Sequence, residues 1–238
     1  MDSTHHPPKL TILVVDDEAA LRSFAGLLLQ DLGYSALLAE SGRRAVQLLL
    51  QDPEAVAAVL LDMTMPGMTP EETFRHLREI CPDLPVVILS GDLETAVRER
   101  FSAGTIAGFV AKPYTEIDLE TGLAEALSQR RGVERCLPAS AEFKLARLPQ
   151  EELDKMKDDY LATCHLDLVR MAGMLKSRDF DALETMGHSL KGSGGCFGLP
   201  QLTQLGRALE DHAKALDAVS CGKQLEALKQ YLAVFLPG

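Results

Sequence analysis

The Asp16-Asp17 pair, Asp62, Ser90 and Lys112 lie far apart in the chain, yet each follows a short aliphatic run. If those runs are parallel strands, all five side chains converge on one edge of a sheet. Three carboxylates held that close repel one another unless a cation sits among them. An all-oxygen donor set suits a hard divalent ion, Mg²⁺ above all, which keeps several waters and also binds a phosphoryl oxygen. A lysine and a hydroxyl opposite the acids would complete a cradle for a transferred phosphoryl group. Taken singly, the residues have plainer readings: Asp16 as a helix cap, Lys112-Pro113 as a strand-ending turn, Ser90 as a strand-terminal polar group. Only the set carries chemistry.

A second candidate is His188, in Met186-Gly-His-Ser-Leu-Lys-Gly-Ser-Gly-Gly195. On a helix, at about 100° per residue, Leu183, Met186, Leu190 and Phe197 form one apolar stripe. His188 then projects roughly opposite, toward solvent, with Lys191 and Gly192 one turn later and Gly195 two turns later. Glycine inside a helix costs about 1 kcal/mol relative to alanine, so this composition is a poor choice for stability alone. Missing side chains would let a bulky partner approach the imidazole, and Lys191 would stabilise negative charge arriving there. The remaining histidines, His5, His6, His76, His165 and His212, have no comparable setting.

The elements that must position these residues fall into two groups. Up to about Arg130, short apolar runs (Leu10–Val15, Ser35–Ala39, Ala57–Leu61, Val86–Leu89, Gly108–Ala111) alternate with helical patterns at 18–32, 41–51, 69–80, 93–102 and 116–130. Each run is too short for a helix and reads as a strand buried on both faces. The alternation predicts a five-stranded parallel, doubly wound sheet with its site at the carboxyl ends of the strands. Beyond Leu148 the strand signals stop. Helices are expected over 150–177, 181–195, 200–216 and 221–236, with short breaks, the last at Asp217–Ser220. Short loops between amphipathic helices predict an antiparallel four-helix bundle. The fold class is therefore α/β plus all-α, with domains at 8–131 and 148–238 and a linker at 132–147.

Bulk properties narrow the functional classes. The 238 residues carry 24 basic and 35 acidic side chains, a formal net charge of −11. Most of that excess lies before residue 133, and an acidic surface argues against nucleic-acid binding, which needs clustered Lys and Arg. The five cysteines are scattered with no Cys-x-x-Cys pair, so they read as reduced thiols of a cytoplasmic protein rather than zinc ligands or disulfides. The N-terminus lacks the basic and apolar regions of a signal peptide. No apolar run approaches the roughly 18–20 residues that span a bilayer, so membrane insertion is not expected.

Val14-Val-Asp-Asp-Glu18, Leu60-Leu-Asp-Met-Thr-Met-Pro-Gly-Met68, Leu89-Ser-Gly91 and Gly108-Phe-Val-Ala-Lys-Pro113 together resemble the response-regulator receiver family, of flavodoxin/CheY-like fold, over residues 9–130. The resemblance implies that Asp62 becomes an aspartyl phosphate. It implies that Asp17, Asp62 and the backbone carbonyl of Thr64 hold Mg²⁺, with Asp16 acting through water. Lys112 would pair with a phosphoryl oxygen, Ser90 would hydrogen-bond to the phosphoryl group, and Phe109 would swing inward as Ser90 moves. One departure is visible: Thr69-Pro70 stands where the family usually has Asp-Gly. In the second half, His188-Ser-Leu-Lys-Gly-Ser193, Phe197-Gly-Leu199 and Leu202-Thr-Gln-Leu-Gly-Arg-Ala-Leu-Glu210 resemble a histidine-phosphotransfer domain. That likeness implies phosphorylation of His188 on a ring nitrogen, with Lys191 and Gly192 in support.

The resulting expectation is a two-component phosphorelay protein whose receiver catalyses its own phosphorylation. No ATP-binding kinase segment or Gly-x-x-x-x-Gly-Lys-[Ser/Thr] loop is present. Its partners would be a separate sensor kinase and other receiver or phosphotransfer proteins. Two alternatives remain open. One is a phosphorylation-gated interaction module without phosphoryl flux. The other is a phosphatase of the haloacid-dehalogenase type, although that class places an acid two residues after its nucleophile, where this chain has Thr64.

Overall fold

A computed structural model describes residues 10–101, 106–129 and 150–235. The expected linker, 132–147, lies outside the described residues. The chain divides into two compact units between Leu148 and Pro149.

The first unit alternates strand and helix: β1 (Thr11–Val15), α1 (Ala19–Asp31), β2 (Ser35–Ala39), α2 (Gly42–Gln51), β3 (Val56–Asp62), α3 (Pro70–Ile80), β4 (Val86–Ser90), α4 (Glu94–Arg100), β5 (Gly108–Ala111) and α5 (Glu116–Ser128). All strand pairs are parallel, in the order β2-β1-β3-β4-β5. This is the flavodoxin-like order, in which the direction of strand addition reverses beside β1 and leaves a crevice outside the carboxyl ends of β1 and β3. Alternate strand residues feed opposite faces. Leu13, Val15, Val59, Leu61, Val86 and Ile88 pack with Leu48, Leu49, Phe74, Leu77 and Val97 of α2, α3 and α4. Ile12, Val14, Leu60, Val87 and Leu89 are equally inaccessible on the other face, where Gly122 lets α5 lie against Val110 and Val87. Burial on both faces explains why these strands read as unbroken aliphatic runs rather than alternating ones. The departure at Thr69-Pro70 makes a capping box: Thr69 Oγ1 accepts from Glu72 N, Glu72 reciprocates to Thr69 N, and Pro70 opens α3.

The second unit holds α6 (Gln150–Ser177), α7 (Phe180–Cys196), α8 (Pro200–Lys214) and α9 (Ala218–Ala233). Helix α6 packs on α7 and α9, and α8 packs on α7 and α9, so each helix has two neighbours. The three turns share one device. Asp179 N donates to Met174 O, Leu199 N to Gly194 O, and Asp217 N to His212 O. Arg178, Gly198 and Leu216 take positive φ just before these donors. These are Schellman ends, which satisfy the last carbonyls of a helix and reverse the chain sharply. Asp179 and Asp217 then cap the next helix. The sequence placed a break at Asp217–Ser220, but α9 starts at Ala218, because the Asp217 carboxylate accepts from Val219 N and Ser220 N. Tyr160 ties α6 to α7 by stacking on Phe197 at 4.5 Å and by a 2.6 Å hydrogen bond to the Ser193 hydroxyl.

Candidate functional site

Two sites emerge, one in each unit. In the first, β1, β3, β4 and β5 end side by side, so the residue after each apolar run reaches the same rim. Carboxylate oxygens of Asp16, Asp17 and Asp62 all lie within 4.8 Å of one another. Asp16 and Asp62 are buried and Asp17 is exposed. The Lys112 amine enters from the end of β5 and donates to Asp16 Oδ2 at 3.0 Å and Asp62 Oδ1 at 2.9 Å. Backbone donors steady the acids: Glu18 N to Asp16 Oδ1 at 2.8 Å, and Met63 N to Asp62 Oδ1 at 2.8 Å. Ser90 is buried, its Oγ accepting from Asp92 N at 3.1 Å. Thr64 follows Asp62 by two residues in the β3–α3 loop, and Phe109 is half-buried on β5 against the α2–α4 side of the core.

Electrostatics show what the rim lacks. Burial pushes the Asp62 carboxyl up to about 7, with Lys112 pulling it down and Asp16 pushing further up. Asp17 is raised as well, first by loss of solvent and then by Asp16. Burial alone would lower Lys112, but Asp16 and Asp62 outweigh it and hold the amine well above its ordinary value. One ammonium therefore faces three acids, two of them resisting ionisation. The donor set is entirely oxygen, clustered and short of positive charge, and it fits a hard divalent cation. Sequence reasoning missed Arg22, whose guanidinium donates to the carbonyls of Asp16 at 2.6 Å and Asp17 at 3.3 Å and so fixes the turn that carries both acids. Its position one turn into α1 was the available signal.

In the second unit His188 lies on α7 beside Glu210 of α8, with Nδ1 3.3 Å from Oε1. Lys191 Nζ reaches Glu210 Oε2 at 2.8 Å, and Lys214 Nζ reaches Oε1 at 2.6 Å. Burial would raise the Glu210 carboxyl, yet hydrogen bonds from Lys191, Lys214 and His188 overcome it and bring it down to about 2. An ionised carboxylate can only accept, so the proton of a neutral imidazole sits on Nδ1, and Nε2 presents its lone pair.

Three sequence expectations need correction here. His188 is partly buried rather than open on a solvent face, since its ring turns onto Glu210. The buried face of α7 runs through Leu183, Gly187, Leu190 and Gly194, and Met186 is only partly buried. The glycines also serve packing within the bundle. A Cβ on Gly187 would stand 2.6 Å from Glu210 N, one on Gly194 2.9 Å from Thr203 N, and one on Gly206 2.5 Å from Lys191 N. That closeness brings Glu210 to the histidine. Gly192 is buried on the same helix. Glu210 had no role in the sequence reading, although a glutamate one turn after Gly206 on the apolar face of α8 was visible.

Among the described residues Cys81, Cys164, Cys196 and Cys221 carry reduced thiols. No helix among those residues is long and apolar enough to cross a membrane.

Comparison with known proteins assigns both halves. The family model described as "Response regulator receiver domain" matches residues 12–124, and the one described as "Hpt domain" matches residues 155–235. "Sensor kinase CckA" of Brucella abortus (strain 2308) is 32% identical over 120 residues, which is 50% of this chain and 13% of that protein. "Response regulator MprA" of Mycolicibacterium vanbaalenii is 38% identical over 128 residues, 52% of this chain and 50% of that protein. The chain thus spans half or less of the length of these curated relatives. Among solved structures, a response regulator receiver protein from Sinorhizobium medicae WSM419 is 28% identical, with a TM-score of 0.47, covering 52% of this chain and 98% of that one.

Proposed function

Because this chain belongs to the response-regulator receiver family through residues 12–124 and to the Hpt family through residues 155–235, we propose that it is a two-component phosphorelay protein. It passes phosphoryl groups between an aspartate, Asp62, and a histidine, His188. The observation that carries this reading is the rim where the Lys112 amine bridges Asp16 and Asp62 at about 3 Å. A nucleophilic carboxylate, a charge partner and an oxygen-only cation site meet there.

In this reading a free carboxylate oxygen of Asp62 attacks the phosphorus of an incoming phosphohistidine, and the P–N bond breaks. Lys112 moves from its two acids toward a phosphoryl oxygen, and the Ser90 hydroxyl donates to another. Asp16, Asp17, Asp62 and the Thr64 carbonyl would hold Mg²⁺, which when bound neutralises charge on the transferring group. Phe109 follows Ser90 inward. In the helical unit Glu210 keeps the Nδ1 proton, so Nε2 of His188 is the phosphoryl acceptor, with Lys191 beside it as the counter-charge and Gly192 in support. The original donor is a separate sensor kinase, and the other partners are receiver or Hpt proteins. A haloacid-dehalogenase-type phosphatase is disfavoured, since Thr64 cannot serve as that class's acid.

Acetyl phosphate labelling tests the reading. The wild-type chain should acquire a base-labile acyl phosphate that Asp62→Asn abolishes. His188→Gln should keep that label but fail to pass phosphate to a downstream receiver. Unchanged relay in His188→Gln, or catalytic turnover of small phosphate esters in place of stoichiometric labelling, would refute the proposal.

A further inference from the structure

Helix α6 carries two apolar seams, and only one is covered inside its unit. Tyr160, Leu161, Cys164 and Met171 are buried, on the side that packs against α7 and α9. On another side Ala162, Leu166, Val169 and Gly173 recur in steps of four, three and four residues, the spacing of a helix-pairing seam. This second seam is open. Leu166 is 64% and Val169 72% exposed, Ala162 and Gly173 are exposed, and a Cβ on Gly173 would meet nothing within 4 Å. Asp159, three residues before Ala162, and Lys176, three after Gly173, extend the line and are also exposed.

The order of these side chains identifies the occupant. Reversed end to end, the seam reads as its own complement. About a two-fold axis between Asp167 and Leu168, an antiparallel second α6 sets Val169 opposite Leu166, Gly173 opposite Ala162, and Lys176 opposite Asp159. The two bulky residues meet at the centre, the small ones beside them permit close approach, and each end gains an opposite-charge pair. Parallel pairing would set Asp159 against Asp159 and Lys176 against Lys176, so charge selects the antiparallel arrangement. Arg170 is already held by Asp167 at 2.9 Å on its own helix and leaves the pattern undisturbed. We propose that this seam is a homodimer interface, in which a second copy of the chain docks α6 on α6 in an isologous pair. Four apolar positions per helix fall short of the roughly 1,200–2,000 Å² buried in stable complexes. The dimer is therefore reversible and concentration-dependent. The seam includes none of the proposed phosphotransfer residues, so it adds an assembly function to the helical unit.

Sedimentation velocity of the full chain over a wide concentration series tests this. Wild type should pass from monomer to dimer as concentration rises. Leu166→Glu, at an exposed position that spares the fold, should weaken association by on the order of tenfold or more. Asp159→Lys and Lys176→Asp should each weaken it several-fold, by turning two attractive pairs repulsive. The double variant, which exchanges the signs, should return to within about twofold of wild type. Circular dichroism checks that every variant keeps its helices, and Asp62 labelling should be unchanged in all of them. A chain that stays monomeric throughout, or a dimer indifferent to Leu166→Glu, overturns the proposal. So does a double variant no tighter than the single ones, or a seam that binds a receiver domain and never a second copy.

Discussion

Replacing Glu210 by glutamine removes one charge and almost no volume from the histidine site. The native carboxylate gathers Lys191 at 2.8 Å, Lys214 at 2.6 Å and the His188 ring at 3.3 Å while 4% of its side chain is exposed. Burial opposes ionisation, and the three donors reverse it, taking the group from the ordinary 4.5 to about 2. That gap is worth about 3 kcal/mol of preference for the folded carboxylate. The folded-state value lies below the unfolded one, so this contribution is complete above pH 4.5 and fades as pH falls toward about 2. Glu210→Gln should therefore lose about 3 kcal/mol at neutral pH, and the difference from wild type should shrink in acid. Amide hydrogen exchange on α7 and α8 reads this locally. The slowest amides should exchange roughly a hundredfold faster at neutral pH. Nitrogen-15 spectra of the imidazole supply a second readout, because a glutamine amide can donate to Nδ1 and release the tautomer that leaves Nε2 free. Equal exchange rates at neutral pH, or a deficit that persists unchanged in acid, would refute the claim that the charge of Glu210 organises the site.

Two further outcomes follow from the same geometry. Gly206→Ala would drive a methyl to 2.5 Å from Lys191 N and 2.8 Å from Gly187 O, backbone atoms that cannot turn aside. It should cost about 1–3 kcal/mol and lower the melting temperature of the helical unit by several degrees, and an unchanged melt counts against close α7–α8 packing. At the aspartate rim, burial places Asp62 at about 7 with Lys112 opposing and Asp16 reinforcing. Below that pH the carboxyl must shed a proton to bind a cation, so Mg²⁺ affinity should climb with pH and level off above it. Calorimetry in two buffers of different ionisation enthalpy should detect the released proton, and an affinity flat from about pH 6 to about pH 8 would contradict the assignment.

The first unit was legible because its chemistry is written at strand ends. Strands β2 and β5 fall on the residues read from aliphatic runs, and β1, β3 and β4 differ by a residue or so at an end. Once the strands are parallel, the residue after each run has nowhere to go but the shared rim, so Asp16, Asp62 and Lys112 follow from position alone. The cluster's imbalance was not legible. Burial first, and the neighbouring Asp16 after it, leave Asp17 and Asp62 raised against the pull of Lys112, and the degree of burial has no sequence signature.

In the helical unit periodicity gives each helix a buried side but no rotation relative to its neighbour, and the site depends on that rotation. Reading glycines as space for an outside partner was reasonable on composition, since glycine weakens a helix wherever it sits. Gly187, Gly194 and Gly206 have a different task from Gly192 and Gly195: they bring two backbones close enough for a carboxylate 22 residues away in sequence to reach the ring. The same closeness explains why the site tolerates a buried acid. A carboxylate excluded from water needs all of its partners at fixed distance; Lys214 reaches Glu210 from its own helix, but helices held apart by ordinary side chains could not supply Lys191 and His188 to the same group. The glycines, the acid and the histidine are thus one device, and removing the close approach should disturb the imidazole as surely as removing Glu210 itself.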